Sequence, residues 1–237
     1  MNTPEHSKLT RRALVGTAVW TVPVIAVAAA APLAAASPGR CGTLSWAQTT
    51  ATNANTRTAT VSTGGNAASL TIARATIAGT PLTGNFAPYT GTPGPVGPTG
   101  SLFMWQETAT ANVPARQRLT FTSSVPIRSV QFVIHDHTRS NEYSDGISIE
   151  GFTTRSAAFI EARPAGVNLT GAGSQASPWS NSAVHTTNAT SRTQVTAQSP
   201  SASVTSFTVD YVNTTAPAVA GGGSRQYISL SDLEICF

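Results

Sequence analysis

Along most of the chain, apolar residues recur at every second position. Arg116 to Ser123 sets Leu119 and Phe121 against Arg118, Thr120 and Thr122, and Arg128 to His135 places Val130, Phe132 and Ile134 on one face. A period of two marks a half-buried strand, because successive side chains of an extended chain point to opposite sides. Ala68 to Ile77 has apolar residues at 70, 72, 75 and 77, and Ser203 to Val212 at 204, 207, 209 and 211. The slip of phase inside each predicts a bulge. Arg225 to Phe237 is a last apolar run, and shorter strand candidates are 43–49, 57–62, 101–107, 146–152, 157–161 and 192–197. After residue 36 no segment of eleven or more residues keeps a helical stripe with caps. Gly, Pro, Asn, Ser and Thr clusters separate the runs as turns do. The pattern predicts an all-β, antiparallel two-sheet sandwich formed by residues 37–237 as a single domain. Gly79 to Gly100 and Ala165 to Ser182 read as long loops at its ends. The Gly-X-Y triplets from Gly91 to Gly100 are too few to hold a triple helix and predict a polyproline-leaning loop.

The first 36 residues follow a different rule. Arg11 and Arg12 precede an uncharged stretch from Ala13 to Ala36 that ends in three alanines. This resembles a twin-arginine export signal cut between Ala36 and Ser37. The resemblance implies recognition by an export machinery and a secreted or cell-surface product with no membrane attachment after cleavage. The stretch is also long enough to span a bilayer as an anchor, but Pro23, Pro32 and the weak hydrophobicity of alanine argue against that. Arg-Arg followed by a long Ala/Val-rich segment, in a chain whose only lysine is Lys8, is similar to the leaders of exported actinobacterial proteins.

Residues 37–237 carry eleven Arg and nine Asp or Glu, a net charge of +2. That surplus is too thin for a nucleic-acid interface, and this class of partner is set aside. Two cysteines, Cys41 and Cys236, stand near the two ends of that domain. In an oxidising exterior an even count predicts a disulfide, which would bring both ends within about 7 Å. The first strand is then expected beside the last. The closing Tyr227 to Ile235 resembles the final strand of carbohydrate-binding jelly rolls, which implies a jelly-roll-like sandwich.

Candidate chemistry gathers at His135-Asp136-His137 and Glu142-Tyr143-Ser144-Asp145. A strand running into an Asp, then a polar loop and a second Asp, is similar to a pattern in exported bacterial β-sandwich proteins. His137 stands where that pattern has another Asp. Oxygens of Asp136, Glu142 and Asp145 suit Ca²⁺; Asp136 and Asp145 equally suit capping of backbone N–H groups. His135 and His137, two apart on a strand, would share a face and offer zinc two ligands. No nucleophile elbow is present and no pair of acids is singled out for glycoside cleavage. Trp46 and Trp105 lie in strand-like runs and are expected in the core. Trp179, Tyr89 and Tyr143 lie in loops, where a flat apolar ring with a polar edge can stack on sugars. The favoured reading is a non-enzymatic extracellular module binding a glycan or cell-wall polymer. The alternatives are a metal-assisted hydrolase using His135, Asp136 and His137, and a structural or adhesive envelope component.

Overall fold

A computed structural model describes residues 40–64, 66–92, 96–187, 191–200, 204–215 and 225–237. Arg11, Arg12, Ala36 and Ser37, which carry the export reading, lie outside the described residues. Strands form wherever β-branched and aromatic residues alternate with polar ones: β1 (Cys41–Leu44), β2 (Thr50–Asn53), β3 (Thr56–Thr63), β4 (Asn66–Ala78), β5 (Thr80–Pro81), β6 (Ala87–Pro88), β7 (Leu102–Glu107), β8 (Arg116–Ile127) and β9 (Ser129–His135). They continue as β10 (Asp145–Glu150), β11 (Thr154–Phe159), β12 (Leu169–Thr170), β13 (Trp179–Asn181), β14 (Thr193–Gln198), β15 (Val204–Asn213), β16 (Gln226–Leu230) and β17 (Leu233–Cys236). The described helical structure is a single 3-10 turn, Trp46–Gln48.

The strands make two antiparallel sheets. One, sheet A, runs β1-β17-β9-β16-β7-β5, with β6 also on β7 and β14 and β11 continuing outward from β9. The other, sheet B, runs β12-β13-β10-β15-β8-β4-β3-β2. From β7 onward the chain passes repeatedly between them. The predicted slip in the 203–212 run is present as a register shift between Val204 and Ser206. The slip in the 68–77 run falls later than its apolar spacing suggests, between Thr76 and Ala78, and leaves Ile77 exposed.

The inward faces form one core. Leu70, Ile72, Leu119, Phe121, Ile147, Ile149, Phe207, Val209 and Tyr211 come from sheet B; Leu102, Met104, Val130, Phe132, Ile134, Val195, Ile228, Leu230, Leu233 and Ile235 come from sheet A. Phe121 and Phe207, cross-strand partners, stack with centroids 4.4 Å apart; Trp46 meets Phe121 edge-on at 6.1 Å. Such pairs add about 1 kcal/mol each beyond the area they bury.

Two expected elements differ. The run 225–237 is broken at Ser231–Asp232 into β16 and β17. Here Ser231 N–H donates to Val133 O (2.8 Å), Val133 N–H donates to Ser231 Oγ (2.9 Å), and Asp232 Oδ1 accepts the backbone N–H of Trp46 (2.9 Å). The Trp46 indole N–H donates to Ser231 O at 2.8 Å. One edge of β9 can therefore serve β17 along Ser129–Gln131 and β16 along Ile134–His135. The two supposed loops also contain structure, β5 and β6 in the first and β12 and β13 in the second; residues 93–95 of the triplet segment lie outside the described residues.

β1 pairs with β17 in register, Cys41 opposite Cys236, and the two are disulfide-bonded across a separation of 195 residues. Closing so long a loop restricts the unfolded chain far more than the folded one. Replacing both cysteines by serine is expected to cost up to about 5 kcal/mol, measured as a lower urea midpoint. An unchanged midpoint would refute that constraint.

Candidate functional site

β9 ends at His135, and the chain then turns through Asp136 in the left-handed region, φ 61°. Asp tolerates that conformation better than most side chains. The turn carries His137 out of the strand's alternation and into the interior. There its Nδ1 lies 2.9 Å from Thr193 Oγ1 and its Nε2 lies 3.1 Å from Asp145 O. A carbonyl only accepts, so Nε2 bears the proton and Nδ1 accepts from the threonine hydroxyl. His137 O accepts from Asn181 Nδ2 at 2.8 Å, and its N–H donates to Ser191 O at 2.8 Å. His135 lies on the opposite side, on the outer face of sheet A, where Gly97 presses on it. A Cβ at Gly97 would sit 2.1 Å from Ser229 Oγ and 3.1 Å from His135 Cβ.

Asp145 is fully buried at the start of β10. Its Oδ1 accepts from Tyr211 Oη (2.8 Å), and its Oδ2 accepts from the backbone N–H and the Oγ1 of Thr138 (both 2.9 Å). It is a capping carboxyl. Burial, partly offset by these bonds, raises its pKa to about 7. Burial and the nearby charge of Asp145 push Asp136 to about 9, so Asp136 is a neutral acid at pH 7. Burial lowers both His135 and His137 to about 4.

The geometry corrects the metal readings of this loop. Glu142 is exposed at the hairpin tip, Asp145 is consumed by internal donors, and Asp136 lies beneath the surface. The three do not converge as a calcium site. His135 and His137 point to different sides, and the nitrogens of His137 are both engaged, so they do not form a zinc pair. Among the described residues, the one group of three or more His, Cys, Asp or Glu side chains with ligand atoms within 4.8 Å of one another is Cys41, Glu234 and Cys236. There both sulfurs are already bonded to each other.

Two of the three aromatic candidates are also corrected. Trp179 is 5% exposed in β13 and belongs to the main core, because Gly173 lies directly on its ring: a Cβ at Gly173 would fall 2.3 Å from the indole. Tyr89 is 3% exposed, packs on Phe103 at 5.4 Å, and accepts the Val96 N–H on its hydroxyl at 3.3 Å. Both rings are packing residues.

Tyr143 remains half-buried. Burial raises its pKa; the Thr138 hydroxyl partly offsets this, and Asp145, Asp136 and Tyr227 add to the rise. Tyr227 belongs to a feature the sequence reading missed. On β7, Leu102, Met104 and Gln106 face inward, which turns Phe103, Trp105 and Glu107 to the outer face of sheet A. Tyr227 of β16 stands directly opposite Trp105 in the ladder. Trp105 and Tyr227 are both half-buried and lie against Phe103, at 5.8 and 6.2 Å, which Tyr89 and Val96 cover from the other side. The Trp105 indole N–H is buried with no acceptor among the described residues, so what the side chain offers a ligand is apolar ring. An ion pair, Arg225 Nε to Glu107 Oε2 at 3.1 Å, borders the pair. The arrangement is an aromatic platform flanked by charge and by phenol.

No family model, no curated protein and no solved structure matches this chain. No helix among the described residues is long and apolar enough to cross a membrane.

Gly173→Ala must adopt φ +71° and displace the Trp179 ring. A loss of about 2 kcal/mol or more is expected, with a red-shifted tryptophan emission. The buried acids set a second expectation. Their pKa values lie above the unfolded value of 3.8, so their contribution to stability is complete below that pH, declines as pH rises, and is gone above about 7 for Asp145 and about 9 for Asp136. The histidines lie below theirs, so their contribution is complete above the ordinary value of 6.5 and is lost as pH falls towards about 4. The two pairs oppose one another between pH 4 and 6.5, and above pH 7 Asp136 dominates. Melting temperature is expected to fall from pH 7 to 9, and Asp136→Asn, which suits the same backbone, is expected to flatten that fall. An equal slope in the variant would assign the effect to other groups.

Proposed function

We propose that the chain is a secreted or cell-surface, non-enzymatic module that binds a glycan or cell-wall polymer. The observation that carries this reading is the Trp105–Tyr227 pair: two partly exposed rings, held in cross-strand register and backed by Phe103. A rigid apolar platform lets the C–H face of a sugar leave water at little cost in side-chain entropy, while flanking polar groups take its hydroxyls. Tyr143 and the Glu107–Arg225 pair provide such groups. Export rests on Arg11, Arg12 and the Ala13–Ala36 stretch, and the Cys41–Cys236 disulfide fits an oxidising exterior. The hydrolase alternative draws no support from the loop, where Asp145 and His137 are occupied with internal bonds and His135 lies on the other side of the sheet from His137.

The test is affinity electrophoresis and calorimetry of the 37–237 domain against soluble neutral polysaccharides and purified cell-wall polymer. Trp105→Ala and Tyr227→Ala are each expected to weaken binding about tenfold, the loss of one stacking contact of about 1.4 kcal/mol, without a matching fall in melting temperature. Undiminished binding in both variants would refute the platform. Self-association without any polymer binding would favour the adhesive alternative.

A further inference from the structure

The opposite side of the molecule carries a second, chemically different surface. On the outer face of sheet B, the register sets Thr50 opposite Thr58, Thr58 opposite Thr71, Thr71 opposite Thr122, and Thr122 opposite Ser206. Five adjacent strands thus present one unbroken row of hydroxyls, about 19 Å long at the ordinary strand spacing. Beside it, Thr60 pairs with Ser69, and Thr120 with Thr208. A shallow depression of about 440 Å³ opens on this row, lined by Gln48, Thr50, Thr58, Thr60, Ser69 and Thr71 together with Ala59 and Leu70.

No charged side chain lines the depression. On the same face Arg116 and Arg118 both grip Asp210, and none of these three lines the depression. An anionic or cationic ligand would find no opposite charge in the lining of the depression. A protein partner would find little apolar anchorage, because Leu70 itself is buried. A hydroxyl both donates and accepts, as does a sugar hydroxyl, so a row of them is complementary to a neutral polyhydroxylated chain.

We infer that this hydroxyl face is a second binding surface for a neutral polysaccharide, which makes the domain bivalent: sheet A engages one chain through Trp105 and Tyr227, sheet B another through the threonine row. The inference rests on the glycan reading above. Two faces on opposite sides of a sandwich cannot close on the same short segment, so bivalence would be expressed as cross-linking.

The experiment uses the 37–237 domain, verified as a monomer by light scattering, titrated into a soluble high-molecular-weight neutral polysaccharide and followed by turbidity, with a short oligosaccharide of the same sugar in calorimetry. The intact domain is expected to cross-link and to bind two oligosaccharides. Thr71→Lys is expected to abolish cross-linking and halve the stoichiometry, with binding at Trp105 retained. Thr58→Val, which keeps the branched shape and removes one hydroxyl, is expected to weaken the second site several-fold and serves if the lysine variant fails to fold. Trp105→Ala is expected to weaken the sheet A site about tenfold and to leave the threonine-row site unchanged. If the domain binds with a stoichiometry of one, and that binding is weakened in Trp105→Ala but untouched by Thr71→Lys or Thr58→Val, bivalence is overturned while the glycan reading stands. If the unaltered domain binds no polysaccharide, both fall.

Discussion

The kink at Ser231–Asp232 is the constraint on which the architecture turns. The break divides the other edge of the last apolar run between two neighbours while both halves stay on β9. By swinging out at residue 231, the chain gives β17 to β1 and β16 to β7, so that the first and last strands meet and the aromatic ladder of β7 and β16 is assembled. The ladder bonds given up at the break are replaced locally. The Ser231 hydroxyl accepts from Val133, and Asp232 accepts from the backbone of Trp46. Trp46 in turn is held from both its backbone and its indole N–H, and its ring reaches the Phe121–Phe207 stack in the centre of the core. The N-terminal turn, the C-terminal kink and the middle of the sandwich are one mechanical unit.

At one end of the core, polar residues replace apolar ones. Asp145, His137, Thr138, Thr193 and Tyr211 hydrogen-bond to one another, and Asn181 donates to His137 O, in a buried environment where an unpaired polar group costs more than a paired one gains. A neutral Asp136 and neutral imidazoles are the means by which ionisable side chains can be buried there at all. Chemically this looks like a reactive cluster, and the pKa displacements are of the size found in active sites. The internal bonds that occupy Asp145 and His137 mark it as structural support for the 136–145 loop, which places Tyr143 near the platform.

How far the sequence could be read depended on whether the deciding contact was local. Alternation in 116–123 and 128–135 located β8 and β9, and the slip near Ser206 announced a real shift of register. At 231 the apolar positions also change phase, from Ile228 and Leu230 to Leu233 and Ile235, but the pattern does not show a strand break, which rests on the distant partners Val133 and Trp46. Trp179 was misjudged for a similar reason. Its Ser/Pro/Asn surroundings read as an open loop, and the residue that buries it, Gly173, has no side chain to announce the contact. Trp105 failed in the opposite sense. Leu102, Phe103, Met104 and Trp105 are apolar on both faces of the strand, so alternation cannot say which face meets the core. A usable clue was Glu107, which shares the Trp105 face and would have been costly to bury. The separation of His135 from His137 follows from one left-handed residue, Asp136, and no spacing rule anticipates it.

The bond between Cys41 and Cys236 also changes what a proteinase can accomplish. With its first and last strands joined covalently, everything between them is topologically a ring. A single cleavage in any exposed turn opens that ring and liberates no fragment, and the severed segments stay in register through the sheets they already occupy. Under proteolytic attack such a molecule tolerates damage that would dismantle an open chain.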